Sequence, residues 1–296
     1  MSVSDYRKQY EAQLAAEASH AKVAKLATPS PMMGVVARAE AVSAIGASKQ
    51  ATASDIKKLV VHVGNATEDA RVRTAALLQL NLLEFTGPRL DAQRVSFVKA
   101  LESAAGSGDK ELATAALAQL AARKEDSGRT ALLGHLANPA GAPMPLDQTI
   151  RLLSKYDHDA VFAPVRDILA KTRETDVKAA ALRLLAADKA SEKLITTLLN
   201  DTTQPIAIRS LAATGLHNLN PDSFAKIGRA IVDDSEENDD VRATCLSLLT
   251  HFSDYEKQRS NKRFAASVKR LSTGAGSVHL KAAAARFMDR IEQDRK

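Results

Sequence analysis

The sequence has no tryptophan, a single cysteine (Cys245) and only 4% aromatic residues. Bulky rings and disulfides are therefore excluded as the main source of its cohesion, and one cysteine cannot close an internal bridge. Its thiol usage fits a reducing, cytoplasmic, bacterial setting better than secretion. No run approaches the roughly 20 apolar residues that cross a bilayer. The opening residues, MSVSDYRKQYEAQLAAEASHAKVAKLATPSP, are charged throughout, which excludes a usual secretory signal. Strand-like alternation does not survive outside helical stripes, and no Gly/Ser or Pro linker is long enough to divide the chain. Nucleotide and acyl-transfer motifs are missing too: there is no P-loop, no G-x-G-x-x-G and no G-x-S-x-G. These absences lead to the expectation of a non-enzymatic protein with no cofactor and no metal.

What the chain has in abundance is alanine and leucine arranged in a repeat. The phrase DARVRTAALLQL at 69–80 returns as NDDVRATCLSLL at 238–249. Placing each phrase in register gives anchors at Arg38, Arg73, Ala113, Leu146, Lys178, Arg209, Arg242 and Lys281, about 33 residues apart. Three residues after each anchor the side chain is nearly always small: Ala41, Ala76, Ala116, Thr149, Ala181, Ala212, Cys245 and Ala284. Four after stand Val42, Leu77, Leu117, Ile150, Leu182, Ala213, Leu246 and Ala285. Seven after come Ile45, Leu80, Leu120, Leu153, Leu185, Leu216, Leu249 and Met288. Spacings of three, four and seven are those of one helix face. The period predicts a solenoid of about eight two-helix repeats, each needing its neighbours to bury its apolar face.

Outer helices are expected in the intervals, with starts at Ser54-Asp55, Asp91, Ser191 and Asp222-Ser223, whose side-chain oxygens can cap free amides. Stops are expected at Gly64-Asn65, Gly106-Ser107-Gly108, Asn200-Asp201 and Gly274-Ala275-Gly276, where left-handed backbone would close each helix. Residues 138–145, NPAGAPMP, are the strongest interruption and read as an inter-helix loop within a single domain spanning 1–296. Tyr6, Tyr10, Leu14 and Ala18 fall four apart, so residues 4–26 are expected to form an amino-terminal capping helix, a partner-binding arm being the alternative.

The phrase D-x-x-V-R-x-x-A-L-x-x-L resembles the HEAT repeat, in the short bacterial form also found in phycobilin-lyase-type proteins. The resemblance is clearest around Arg73, Lys178, Arg209 and Arg242. It implies an all-α, right-handed α-α superhelix whose inner helices line a concave surface that holds another macromolecule. Fold resemblance of this kind does not itself specify function.

Charge is unevenly spread. Residues 257–296, read as a basic terminal repeat, carry eleven Lys or Arg against three acids, a balance of +8 that leaves −2 for residues 1–256. Within that block Arg259, Lys262, Arg263, Lys269 and Arg270 gather on one side of a helix, with Phe264, Val268 and Leu271 turned to the core. Such a stripe is either a solvated outer face or a surface for phosphates or an acidic protein. The anchor cations are expected to form a structural ladder. The run Asp233–Asp240, with six carboxylates in eight positions, is read as a solvated helix-start loop, not a metal loop. Asp157-His158-Asp159 is the one tight carboxylate–imidazole cluster, and helix capping by Asp159 is its leading reading. Cys245 is read as a small buried apolar group.

Five residues after the anchors lie Ser43, Leu78, Ala118, Arg151, Arg183, Thr214, Ser247 and Arg286, expected on the concave side, with His217 and Asn81 three residues further along their helices. The resulting expectation is an adaptor that binds a protein through Arg151, Arg183, His217, Asn81 and Arg286. The alternative is a nucleic-acid-backbone binder related to HEAT-like DNA glycosylases, through the basic carboxy-terminal region.

Overall fold

The computed structural model describes residues 34–47, 52–84, 93–156, 159–251, 261–274 and 276–293. The proposed capping helix, Asp91, Asp157-His158 and Arg259 lie outside them. The described chain is all-helical, with fifteen α-helices and no strand among the described residues. It divides into two compact units, Met1–Pro145 and Leu146–Lys296, at the end of the NPAGAPMP stretch.

The first unit holds α1 (Val35–Ala47), α2 (Ala53–Gly64), α3 (Ala70–Glu84), α4 (Arg94–Ala105), α5 (Lys110–Ala122) and α6 (Asp126–Ala137). Here α3 packs on α1, α2 and α5, while α4 packs on α2 and α5. The second unit holds α7 (Leu146–Leu153), α8 (Asp159–Lys171), α9 (Thr175–Leu185), α10 (Glu192–Asn200), α11 (Ile206–Leu219), α12 (Pro221–Asp233), α13 (Asp239–His251), α14 (Lys262–Thr273) and α15 (Val278–Gln293). Each anchor-bearing helix of this unit packs on the next, giving the row α7, α9, α11, α13 and α15. Its partner helices α8, α10, α12 and α14 each pack on the anchor helix that follows them.

Burial follows the repeat register. All eight residues three after the anchors are buried, as are Ile45, Leu80, Leu120, Leu153, Leu185, Leu216 and Leu249 seven after. Small side chains at the first position let neighbouring helices approach, and the leucines of the second fill the space between them. The exception is α15, where Ala285 is exposed and Met288 half-buried. That helix buries Leu280, Ala283, Ala284, Phe287 and Ile291 instead. It is turned toward α13 and α14, its only main packing partners among the described residues.

Helix ends fall near their expected places, with different capping groups. Helix α2 starts at a capping box in which Thr52 Oγ1 accepts from the Asp55 amide and Asp55 Oδ2 accepts from the Thr52 amide, so Asp55 is the reciprocal partner and Ser54 is not the cap. Helix α12 is capped by Asn220, whose side chain accepts from the Ser223 amide, not by Asp222-Ser223. Ser191 occupies the cap position of α10 but donates its hydroxyl to Asp188. Gly64, Gly106, Asn200 and Gly274 end or follow helices as expected, although positive φ is confined, among the described residues, to Lys124 and Gly276. Gly274 is required for a different reason: a Cβ there would lie 2.7 Å from the Arg270 carbonyl oxygen.

Candidate functional site

The anchor cations lock the repeat together. Arg73 Nε donates to the Val63 carbonyl at 3.0 Å, Arg209 Nε to Leu199 at 2.9 Å and Arg242 Nε to Val232 at 3.2 Å. In each case the acceptor lies ten residues back, next to last in the partner helix, where a carbonyl has no intrahelical donor. The cations then reach forward. Arg38 meets Glu68 at 2.9 Å, Lys178 Nζ meets Gln204 at 2.7 Å, and Arg209 forms a two-pronged pair with Glu237. Glu68, Gln204 and Glu237 each stand five residues before the following anchor. The loops that carry them share a turn as well: Asn65, Asp201 and Asp234 each accept from the amide two residues on. The structural ladder expected from the sequence is thus present; Arg242 takes the nearby Asp239 at 3.1 Å, whereas Asp69 pairs with Arg71, not Arg73.

The acidic run is not simply a solvated loop. The side chain of Glu237 is buried, and its bonds to Arg209 hold its carboxyl below the usual range despite that burial, while raising the Arg209 guanidinium. Asp239 binds Arg242 and the Ser277 amide, and Asp240 faces His279 Nδ1 at 3.0 Å. Beside this network Cys245 is buried, and desolvation pushes its thiol up to about 12, so it is not poised as a nucleophile.

A second buried cluster went unread in the sequence. Asp188 receives Ser191 and Arg166; burial is the largest single influence and pushes its carboxyl up, but the bonds from Ser191, Arg166 and the Ala190 amide together outweigh it and hold the group below the usual range. Arg166 and Asp188 are 22 residues apart and belong to no repeat position that the register singles out.

The residues five after the anchors do share an exposed face in the second unit. Arg151, Arg183, Thr214 and Arg286 are exposed and Ser247 is half-buried, one from each helix of the row. Arg151 donates to a local partner, Asp147, at 2.6 Å. Such an exposed i,i+4 pair contributes only about 0.3–0.5 kcal/mol, so it restrains Arg151 little. Arg183 and Arg286 make no described ion pair. Ser210 and Thr244 hydroxyls lie 3.3 Å apart across α11 and α13. Ser247 and Arg286 line a groove of about 490 Å³ between α13 and α15, with an alanine floor and Asp240 and His279 at its other end.

His217 does not join that face. It is buried, edge-on to Phe224 with ring centroids 5.4 Å apart. Three residues turn a helix by about 300°, which brings His217 some 60° back from Thr214 toward the core stripe. Asn81 has the same register position in the first unit and is half-buried there. The first unit's face at this register is more apolar, with Leu78 and Leu82 exposed on α3.

Four of the five basic-stripe residues are described. Lys262, Arg263, Lys269 and Arg270 are exposed on α14, while Phe264 and Val268 are buried as expected. Both faces offer fixed charges and hydrogen-bonding groups, which suit binding.

No known family model matches the chain, and the curated proteins yield no match. Among the described residues no helix is long and apolar enough to cross a membrane.

Proposed function

We propose that the chain is a HEAT-like, non-enzymatic cytoplasmic adaptor that holds a partner protein on the exposed face of the anchor-bearing row in its second unit. The observation that carries this reading is the common register. Four successive helices, α7, α9, α11 and α13, each place a polar side chain at the same register position, and Arg286 of α15 lines the same groove as Ser247. The row is braced where Arg209 bonds the Leu199 carbonyl of α10 and Glu237 ahead of α13, and where Arg242 bonds the Val232 carbonyl of α12; it presents Arg183 and Arg286 without described ion-pair partners. Arginine is favoured at protein interfaces because its planar guanidinium can meet carboxylates and backbone carbonyls in paired bonds.

The test is capture from native lysate after nuclease treatment. The tagged chain retains a stoichiometric protein, and Arg151→Glu with Arg183→Glu reduces its recovery by about tenfold or more, as expected for loss of roughly 1.4 kcal/mol at a contact. Equal recovery by the variant and the parent overturns the assignment of this face.

A further inference from the structure

We infer that α14 is a second binding surface, distinct from the row above and independent of the adaptor reading, and that it takes the phosphate backbone of a nucleic acid without reading its sequence. The helix KRFAASVKRLST carries four cations and no acid. None of the four forms a described ion pair. Among exposed arginines elsewhere, Arg71, Arg94 and Arg151 pair with Asp69, Glu125 and Asp147, whereas Arg183 and Arg286, like the cations of α14, make no described ion pair.

Stability does not account for the arrangement. Lys262 and Arg263 occupy the first turn of α14, where the helix dipole is positive and cations are unfavourable. Helix stability would place acids there, as in α2, α5 and α10. The cations are also held in one orientation. Phe264 is 1% and Phe287 0% exposed, and their rings meet edge to face at 5.7 Å, fixing the opposite side of α14 to solvent.

The pairs 262/263 and 269/270 are seven residues apart, about 10 Å along the axis. Two pairs of cations at that spacing can contact phosphates about three apart on a strand, which carries one charge per ~3.4 Å of axis. Base stacking would need exposed aromatic groups, and α14 has none; its aromatic side chain is buried. A membrane surface fits less well, since no bulky apolar side chain projects beside the cations.

The experiment uses the full chain and a short fluorescein-labelled DNA duplex of mixed sequence, read by anisotropy from ~50 to ~200 mM salt. The expected result is binding whose logarithm falls with log salt by about 0.9 for each phosphate neutralised, a slope near −3 to −4. Lys262→Glu with Lys269→Glu weakens it by tenfold or more and flattens the slope. Lys57→Glu with Lys110→Glu makes the same change in net charge elsewhere and leaves binding within about twofold. All four positions are at the surface, and circular dichroism confirms that the variants fold. Absence of duplex binding, an equal loss in both variants, or stronger α14-dependent binding to polyglutamate or to phosphatidylserine vesicles overturns the inference. None of these outcomes bears on capture through Arg151 and Arg183.

Discussion

Replacing Arg209 with Met is expected to destabilise the second unit by about 3–5 kcal/mol, the usual effect of removing one partner from a buried ion pair. The side chains of Arg209 and Glu237 are 4% and 7% exposed, so water cannot solvate the carboxylate left behind. The substitution also leaves the Leu199 carbonyl without its donor. Glu237→Gln should cost less, because the amide oxygen still accepts from the guanidinium. Arg209→Met with Glu237→Met removes both charges, and its loss should fall well short of that of Arg209→Met alone, since no buried charge is orphaned. The pair also sets a pH dependence. The folded pKa of Glu237 lies below its ordinary 4.5, so the pair's stabilisation is complete above that value and is lost as pH falls through the folded pKa. Urea denaturation near neutral pH and again at mildly acid pH should therefore show the difference between parent and Arg209→Met narrowing on acidification. A difference that stays constant or grows would contradict the assignment.

Phe287→Ala is expected to cost about 3–5 kcal/mol locally, as for other large aromatic deletions from a packed core. Phe287 fills the space between α15 and α14 against Phe264, and both rings are fully buried. In a stacked array each helix pair contacts only its neighbours, so the loss should be concentrated at the affected pair. Hydrogen exchange should then rise by about a thousandfold in α14 and α15, while α9, α10 and α11 keep most of their protection. Uniform loss from α9 to α15 would mean that the second unit opens as one cooperative body.

The apolar register of this protein is legible because it repeats. Ala181, Leu182 and Leu185 mean little alone, but the same sizes at the same offsets around Arg73, Arg209 and Arg242 specify a packed face. The register drifts in α15, where Lys281 stands eight residues after the end of α14, against nine from the ends of α10 and α12 to Arg209 and Arg242, so Ala285 and Met288 turn outward. Caps were harder to read: Thr52 and Asn220 stand beside Ser54 and Asp222, and composition does not distinguish a cap from its neighbour. His217 was placed on the exposed face by its chain position, and the 60° of rotation toward Phe224 decides otherwise. Glu237 is indistinguishable from Glu236 locally. The signal lies in comparing intervals, since Glu68, Gln204 and Glu237 all fall five before an anchor and meet the preceding one. Nothing in the sequence resembles that for Arg166 and Asp188, whose contact depends on the approach of elements outside the repeat register.

The adaptor reading is tested most directly by amide-exchange footprinting of the captured complex against the free chain. The account predicts protection concentrated in peptides carrying Arg151, Arg183, Thr214, Ser247 and Arg286, on the anchor-bearing row of the second unit, with α8, α10 and α12 unchanged. Protection confined to those partner helices, with the row itself unchanged, would contradict it.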